Sequence, residues 1–327
     1  MRYDQTDPTH WRQLDLMVPE QAGEAVRGPA VPAELAHERF ARRERPRRWF
    51  LPIFLFLATC VSTFWAGTTN GEVWAELNGH QLLDYWQDGL LYMRAVLAIL
   101  LAHEMGHFLQ ALRYGVPASL PYFIPMPFTP LGTMGAVIGM NGLQANRREL
   151  FDIGLSGPIA GLVLAIPITC IGILEASVAN FAPGAGGFVF HDPLLVKWLI
   201  QWLRPDVPAG RELMLNPWLR AGWVGMLITG LNMMPVSQLD GGHVTYALFG
   251  RGAHWIARMF LFLAVVAMVY THTYMWMAMV FVVFLIGPDH PPTADDEAPL
   301  GPVRWLLGFA SLAIPILCFP PLGLSGF

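Results

Sequence analysis

Leu100-Leu101-Ala102-His103-Glu104-Met105-Gly106-His107-Phe108 reads H-E-x-x-H inside an apolar run from Gly89 to Leu112. At helical spacing His103 and His107 are i and i+4, so both imidazoles leave one face. Two histidines so placed can hold one zinc ion. The glutamate between them, Glu104, can serve as the general base that takes a proton from water. A lone histidine here would read as a satisfied core residue. Two histidines and a glutamate in this order do not, because ionisable groups at bilayer depth are costly and mark function.

Composition sets the class. Hydrophobic residues make up 54% of the 327 and charged residues 13%, and the mean hydropathy is +0.43. A soluble domain carries about 25% charged residues. The chain is therefore read as an all-α polytopic membrane protein. The net charge of −4 says little about partners, because position matters more than sum. Cys60, Cys170 and Cys318 fall in apolar runs without a CxxC pair, so they read as lipid-facing or core thiols rather than ligands.

Residues 1–48 are polar, Pro-rich and mixed in charge, and no apolar stretch follows the initiator. They read as a cytoplasmic amino-terminal segment, neither a cleaved signal peptide nor a transit peptide. The segment ends in Arg39, Arg42, Arg43, Arg45, Arg47 and Arg48, and an apolar span begins at once. That reads as a cytoplasmic membrane flank and not as a nucleic-acid site. Spans are expected at about 49–66, 89–112, 151–174, 218–235, 254–270, 273–287 and 303–319, each near the roughly 20 residues that cross a bilayer. Between the second and third, residues 113–150 hold Pro117, Pro121, Pro125, Pro127 and Pro130 among glycines, so no regular helix fits. Leu194–Leu203 reads as an amphipathic surface helix.

The division is thus 1–48, polar segment; 49–87, first span and outer loop; 88–250, catalytic core; 251–327, additional spans. With the amino terminus inside, the inner flanks hold Arg39 to Arg48, Arg113, Arg147, Arg148, Arg251, Arg258 and Arg304. The outer ones hold only Lys197, Arg204, Arg211 and Arg220, as the positive-inside rule requires. The expected setting is a multi-pass protein of a bacterial cytoplasmic membrane, with the site toward the cytoplasmic face.

Catalytic zinc keeps three protein ligands and leaves one position for water. Asp240 is the candidate, in Asn232-Met233-Met234-Pro235-Val236-Ser237-Gln238-Leu239-Asp240-Gly241-Gly242-His243. It follows a helix descending from outside and reaches the level of the histidines near the inner face. Pro235 breaks that helix, and Gly241 and Gly242 free the backbone to turn. The competing reading is an Asp capping an ordinary Asp-Gly turn, and His243 competes as a ligand. Asn232 lies two turns upstream. It either donates to the scissile carbonyl or oxyanion or makes an interhelical hydrogen bond.

The motifs His103-Glu104-Met105-Gly106-His107, Gly154-Leu155-Ser156-Gly157-Pro158, and Asn232-Met233-Met234-Pro235 followed by Leu239-Asp240-Gly241-Gly242 resemble the three signatures of the site-2 protease family of intramembrane zinc metalloproteases. The resemblance covers about residues 88–245, with the three in order on successive spans. It implies His103, His107 and Asp240 as ligands of one zinc ion, Glu104 as catalytic base, and a three-helix core near the cytoplasmic face. Gly132–Ile138 resembles the family's membrane re-entrant β-hairpin. Gly287-Pro288-Asp289-His290-Pro291-Pro292 looks like a recurring feature of bacterial and chloroplast members. No insert is long enough for a PDZ domain and no CBS-like tail is seen, which points to the compact branch.

A transmembrane substrate must unwind before its carbonyls can react. The Gly-broken segment 131–140, with Gly135, Ala136, Val137 and Ile138, is read as a strand edge for the unwound peptide, against an inert re-entrant plug. Asn141, Gln144 and Asn146 are read as lining the inner water route. The expected partners are transmembrane protein substrates and the lipid bilayer. Two rival classes stay open: a transporter with an intramembrane metal or proton site, and a proteolytically silent binding member. The first lacks an internal repeat. The second does not require Glu104, since zinc binding alone has no use for it.

Overall fold

The structure is a computed structural model. It describes residues 49–69, 85–140, 142–178, 188–208, 211, 213–320 and 324–326. The amino-terminal segment 1–48 with its arginine cluster, the acidic loop at 70–84, the Gly/Ala-rich stretch at 182–187 and Asn141 lie outside the described residues.

Helix α1 (Phe50–Thr68) turns Phe50, Phe54 and Val61 outward and its few hydroxyls inward. Thr59 and Thr63 donate to carbonyls four residues back, at 2.8 Å and 2.6 Å. Such back-bonding keeps a hydroxyl satisfied in an apolar setting. Ser62 Oγ donates to the Gly132 carbonyl at 2.6 Å, so this helix also fastens the hairpin described next. Helix α2 (Trp86–Tyr114) carries the H-E-x-x-H motif and ends on Gly115 at φ 69°, the left-handed cap that glycine adopts without strain. Proline then excludes helix. Strands β1 (Tyr122–Met126) and β2 (Gly132–Val137) form an antiparallel pair with Tyr122 opposite Val137 and an irregularity between Phe123 and Pro125.

Helix α3 (Arg147–Glu175) opens with a full capping box. Asn146 accepts from Arg148 N and Glu149 N, while Glu149 accepts from Asn146 N. Asn146 is therefore committed to helix capping rather than to a water route; Gln144 sits in an exposed 3-10 turn, Gly142–Gln144. After β3 (Phe188–Phe190) and α4 (Leu194–Leu203), helix α5 (Pro217–Asn232) starts on Asn216 with proline in its first turn. The amphipathic reading of α4 holds in its side chains. Val196 is buried, while Trp198 and Trp202 face outward. Helices α2, α3 and α5 pack mutually. The hairpin lies against α1.

Helix α6 (Asp240–Phe249) packs on α3, and α7 (Gly252–Thr271), α8 (Met277–Ile286), α9 (Gly301–Ser311) and α10 (Ile314–Cys318) follow, with β4 (Leu324–Gly326) paired to β3. Among the described residues five helical stretches are long and apolar enough to cross a membrane: Phe50–Thr68, Trp86–Tyr114, Arg147–Glu175, Gly252–Thr271 and Gly301–Cys318. The chain is an integral membrane protein with a mostly helical fold and, among the described residues, two small antiparallel strand pairs.

Seven spans were expected, and two of them are short. The one expected at 218–235 is a helix of 16 residues ending at Asn232, three residues before the break anticipated at Pro235. Every residue from Leu219 to Gly230 is buried, so protein rather than lipid surrounds it. The one expected at 273–287 is a 3-10 turn followed by a ten-residue helix.

Arg220 also departs from the reading as an outer-loop charge. It lies in the first turn of α5, 2% exposed, donating from Nη2 to the Ala66 carbonyl at 2.8 Å. Its guanidinium lies 4.1 Å from the centre of the Tyr92 ring. A carbonyl left over at a helix end and an aromatic face together make burial of a cation tolerable.

Candidate active site

His103 and His107 leave the same face of α2 with ring centres 5.0 Å apart. Asp240, the first residue of α6, reaches both. Its Oδ2 lies 3.1 Å from His103 Nε2 and its Oδ1 3.2 Å from His107 Nε2. The ligand atoms of the three groups lie within 4.8 Å of one another, and this is the one cluster of at least three such side chains among the described residues. His243 does not belong to it. Asp240 makes no capping bond to its own helix, so the capping interpretation of this residue fails. The expected backbone turn at Gly241 and Gly242 is also absent; both are helical. They are glycine for room. A Cβ at Gly241 would stand 2.0 Å from the Met233 carbonyl oxygen, and one at Gly242 2.2 Å from that of Ser237.

The donor set fits a zinc ion. His107 Nδ1 donates to the Ile153 carbonyl at 2.8 Å, which in the neutral ring leaves Nε2 bare toward Asp240. A ring nitrogen held by a backbone carbonyl is how a protein fixes a metal-ligand tautomer. Helix α3 makes way for the ring. A Cβ on Gly157 would lie 2.1 Å from His107 Nε2, so Gly157 is the residue of the Gly154–Pro158 motif that admits the imidazole. Ser156 Oγ donates to the Gly106 carbonyl at 3.0 Å and holds the two helices in that register.

Glu104 is buried, and its Oε2 has no hydrogen-bond partner. An unpartnered buried carboxylate oxygen is costly in a structural role, and here it borders a cavity of about 120 Å³ that His107 and Asp240 also line. Ala136, Val137 and Ile138 also line it, with the Ile138 N–H directed at the Glu104 carboxylate. Backbone amides alternate in direction along a strand, so Ala136 shares that edge while Val137 turns to Tyr122 of β1. Gly135 lies outside the cavity, at φ 102° against Ile228. Asn232, the last residue of α5, borders the cavity with Nδ2 3.4 Å from His103 Nε2.

The sequence reading missed a layer behind Asp240. His243 lines the cavity, and its Nδ1 lies 2.6 Å from His290 Nε2. His290 Nδ1 donates to the Pro291 carbonyl, and Tyr246 stacks on the His290 ring at 4.5 Å. Tyr246 donates to Asp296 at 2.9 Å. Burial alone would raise the pKa of Asp296, but the bonds from Thr293 and Tyr246 hold its carboxyl below the usual range. Burial pulls the His290 imidazole below its ordinary value, against the Pro291 carbonyl.

Arginines brace the same end. Arg147 donates to the Ala247 and Leu248 carbonyls, closing α6, and Arg148 to that of Pro299. Arg304 forks onto Asp152 at 2.8 Å and 2.7 Å. The signal available beforehand was a histidine between prolines in Pro288-Asp289-His290-Pro291, and a second histidine closing the Asp240–His243 stretch.

Residues 91–280 match the model of Peptidase family M50. The chain is 30% identical over 176 residues to a protein named "Probable zinc metalloprotease EGY2, chloroplastic" of Arabidopsis thaliana, across 54% of this chain and 31% of that one. It is 35% identical over 178 residues to "Probable zinc metalloprotease EGY1, chloroplastic" of Oryza sativa subsp. japonica, across 53% and 30%. It is 28% identical over 258 residues to "Probable zinc metalloprotease EGY3, chloroplastic" of Oryza sativa subsp. indica, across 73% and 43%. The chain thus spans about a third to less than half the length of these curated relatives. No solved structure matches it.

Proposed function

The chain belongs to Peptidase family M50, the site-2 protease family, and on that membership and the site's geometry we propose that it is a zinc metalloprotease. It hydrolyses peptide bonds in or near transmembrane segments of membrane proteins. One observation carries the reading: two histidines and an aspartate converge beside a glutamate whose Oε2 is buried without a partner, in a cavity lined by a strand.

His103, His107 and Asp240 hold one zinc ion per chain. Bound there, zinc supplies a Lewis acid that polarises a peptide carbonyl and acidifies water. Glu104 takes the proton of the attacking water and returns it to the departing amine. The Asn232 amide donates to the oxygen on which charge develops. The Ala136–Ile138 edge receives the unwound substrate as an added strand, so that main-chain bonds replace those lost with the substrate helix. Glu104 argues against a silent binding member, and the clustering of all groups at one level argues against a transport path.

Seven crossings with the amino terminus cytoplasmic complete the proposal, on the arginine bias along the chain. That orientation puts the site toward the cytoplasmic face, with His107 about 10 Å in from the end of α2 at 1.5 Å per residue.

The test is cleavage of a model single-span substrate by purified wild type and Glu104→Gln, with zinc content measured on both. Wild type should cleave. Glu104→Gln should keep its zinc and lose at least about a hundredfold in rate, the usual scale for a general base. Substantial cleavage by Glu104→Gln rules out its role.

A further inference from the structure

His243 and His290 take no part in the proposed ligand set, yet their bonds determine where their protons lie. The Pro291 carbonyl can only accept, so His290 Nδ1 must carry a hydrogen. Burial disfavours the charged imidazole at His290, and in the neutral ring Nε2 is bare. That nitrogen can then only accept, so the 2.6 Å contact is a hydrogen bond donated by His243 Nδ1–H. It follows that neutral His243 carries its lone pair on Nε2. Its ring borders the cavity that Glu104, His107 and Asp240 also line, and its Nδ1 is turned away to His290. His243 is no part of the group whose ligand atoms lie within 4.8 Å of one another, so its Nε2 is not taken by the zinc site.

The second histidine is itself held firmly. His254 Nε2 donates to the His290 carbonyl at 3.1 Å. Tyr246 stacks on the His290 ring and is anchored through its hydroxyl to Asp296. Ser237 N, on the turn that delivers Asp240, donates to the Pro288 carbonyl at 2.9 Å. The segment after α8 therefore returns to the core and reaches the reacting end through one imidazole.

We propose that His243 is a further substrate-binding residue: its bare Nε2 accepts a hydrogen bond from a backbone N–H of the extended peptide in the cavity, in a tautomer imposed by the positioning residue His290. The inference rests on the proteolytic reading of the same site. It gives the substrate a second main-chain anchor in the cavity that the Ala136–Ile138 edge also lines. A peptide bound to both is held through its main chain at two points. The recognised chemistry is a backbone amide, so the contact carries no preference for a side chain.

Full-length protein in detergent provides the test. In glutamine the amide oxygen reaches about as far as Nε2, and in asparagine the amide nitrogen reproduces Nδ1–H. His243→Asn should keep the bond to His290 and lose the acceptor. It should weaken binding of a fluorescent substrate peptide about tenfold, the size of one hydrogen bond, when measured in a Glu104→Gln background where nothing turns over. Zinc content and melting temperature should stay at the parent's values. His243→Gln should recover most of that binding. A purely structural role predicts the reverse order, and that order overturns the proposal.

Nitrogen-15 spectra of histidine-labelled, chelator-treated protein report the tautomer directly. Wild type should show a bare His243 Nε2, and His290→Phe should show a mixture. A protonated Nε2 in wild type also overturns the proposal. Should wild type cleave nothing while His243→Asn still weakens peptide binding, proteolysis falls and the contact stands.

Discussion

Gly157→Ala adds a single methyl to α3, in a helix where alanine is otherwise the better residue. The new Cβ would stand 2.1 Å from His107 Nε2, 2.4 Å from Cδ2 and 2.5 Å from Cε1. Ordinary contact between such atoms is about 3.5–4.0 Å, so ring and helix must part by more than about 1 Å. The ring cannot turn aside without breaking its bond to the Ile153 carbonyl, and α3 cannot retreat without breaking the Ser156 bond to Gly106. Overpacking of this kind costs about 1–3 kcal/mol. A ligand atom must hold its place to about 0.2 Å, so we expect the strain to appear in zinc affinity, as a loss of about 5- to 140-fold. Equilibrium dialysis against a graded zinc buffer, with melting temperature measured alongside, reads it.

Two controls isolate the cause. Gly161→Ala puts its Cβ 3.1 Å from His103 Nδ1 and needs only a slight adjustment; its zinc affinity should stay within about threefold of wild type. Gly154→Ala strains the α3–α6 contact at His243 Cβ, 2.9 Å away, and meets the proposed ligand Asp240 only at its backbone carbonyl oxygen, in ordinary contact at 3.4 Å. If Gly157→Ala binds zinc as wild type does, or if Gly154→Ala loses it equally, the reasoning that Gly157 is glycine for the sake of His107 is refuted.

Asp240→Asn keeps the shape of the side chain and removes its charge; zinc affinity should fall at least about tenfold, the usual effect of weakening a metal site's anionic support. Should that variant hold zinc normally while His243→Ala loses it, the ligand is misassigned. Ala136→Pro deletes an amide on the cavity edge of β2, whereas Val137→Thr leaves every backbone donor in place. The first should lower kcat/KM for a transmembrane substrate at least about tenfold with zinc retained, the second by much less. Equal cleavage by Ala136→Pro and wild type, with zinc and melting temperature unchanged, rules out strand addition.

Much of the fold was legible because bilayer burial makes hydrophobic length a direct signal. The first three long spans agree with the structure to within a few residues at each end. Helix α5 shows where the signal weakens. Its 16 residues fall below a bilayer's width, yet its apolar content matches that of a span, because protein on every side asks for the same residues as lipid does. Periodicity cannot separate these two environments. Arg220 misled for a related reason. A cation near the start of a helix reads as a membrane flank, but here a carbonyl near the end of α1 and the Tyr92 face receive it. Those groups lie over a hundred residues earlier in the chain.

The candidate site divides in the same way. His103, Glu104 and His107 are legible because one helix turn brings them together, and a local rule suffices. Asp240 was reachable because glycine and proline mark the break in the chain that delivers it. The purpose of those marks was not. Gly241 and Gly242 were read as hinges, yet both are helical, and only the distances to Met233 and Ser237 reveal that they are small for the sake of approach. The His243–His290 pair was out of reach altogether. It joins residues 47 apart across two helices with no shared spacing, and each imidazole alone has an adequate bland reading. Its meaning arises only once a carbonyl that can do nothing but accept is seen at the far end. From there the proton positions follow one after another into the cavity. A tautomer is a property of a hydrogen-bond chain, and the chain here closes through the fold.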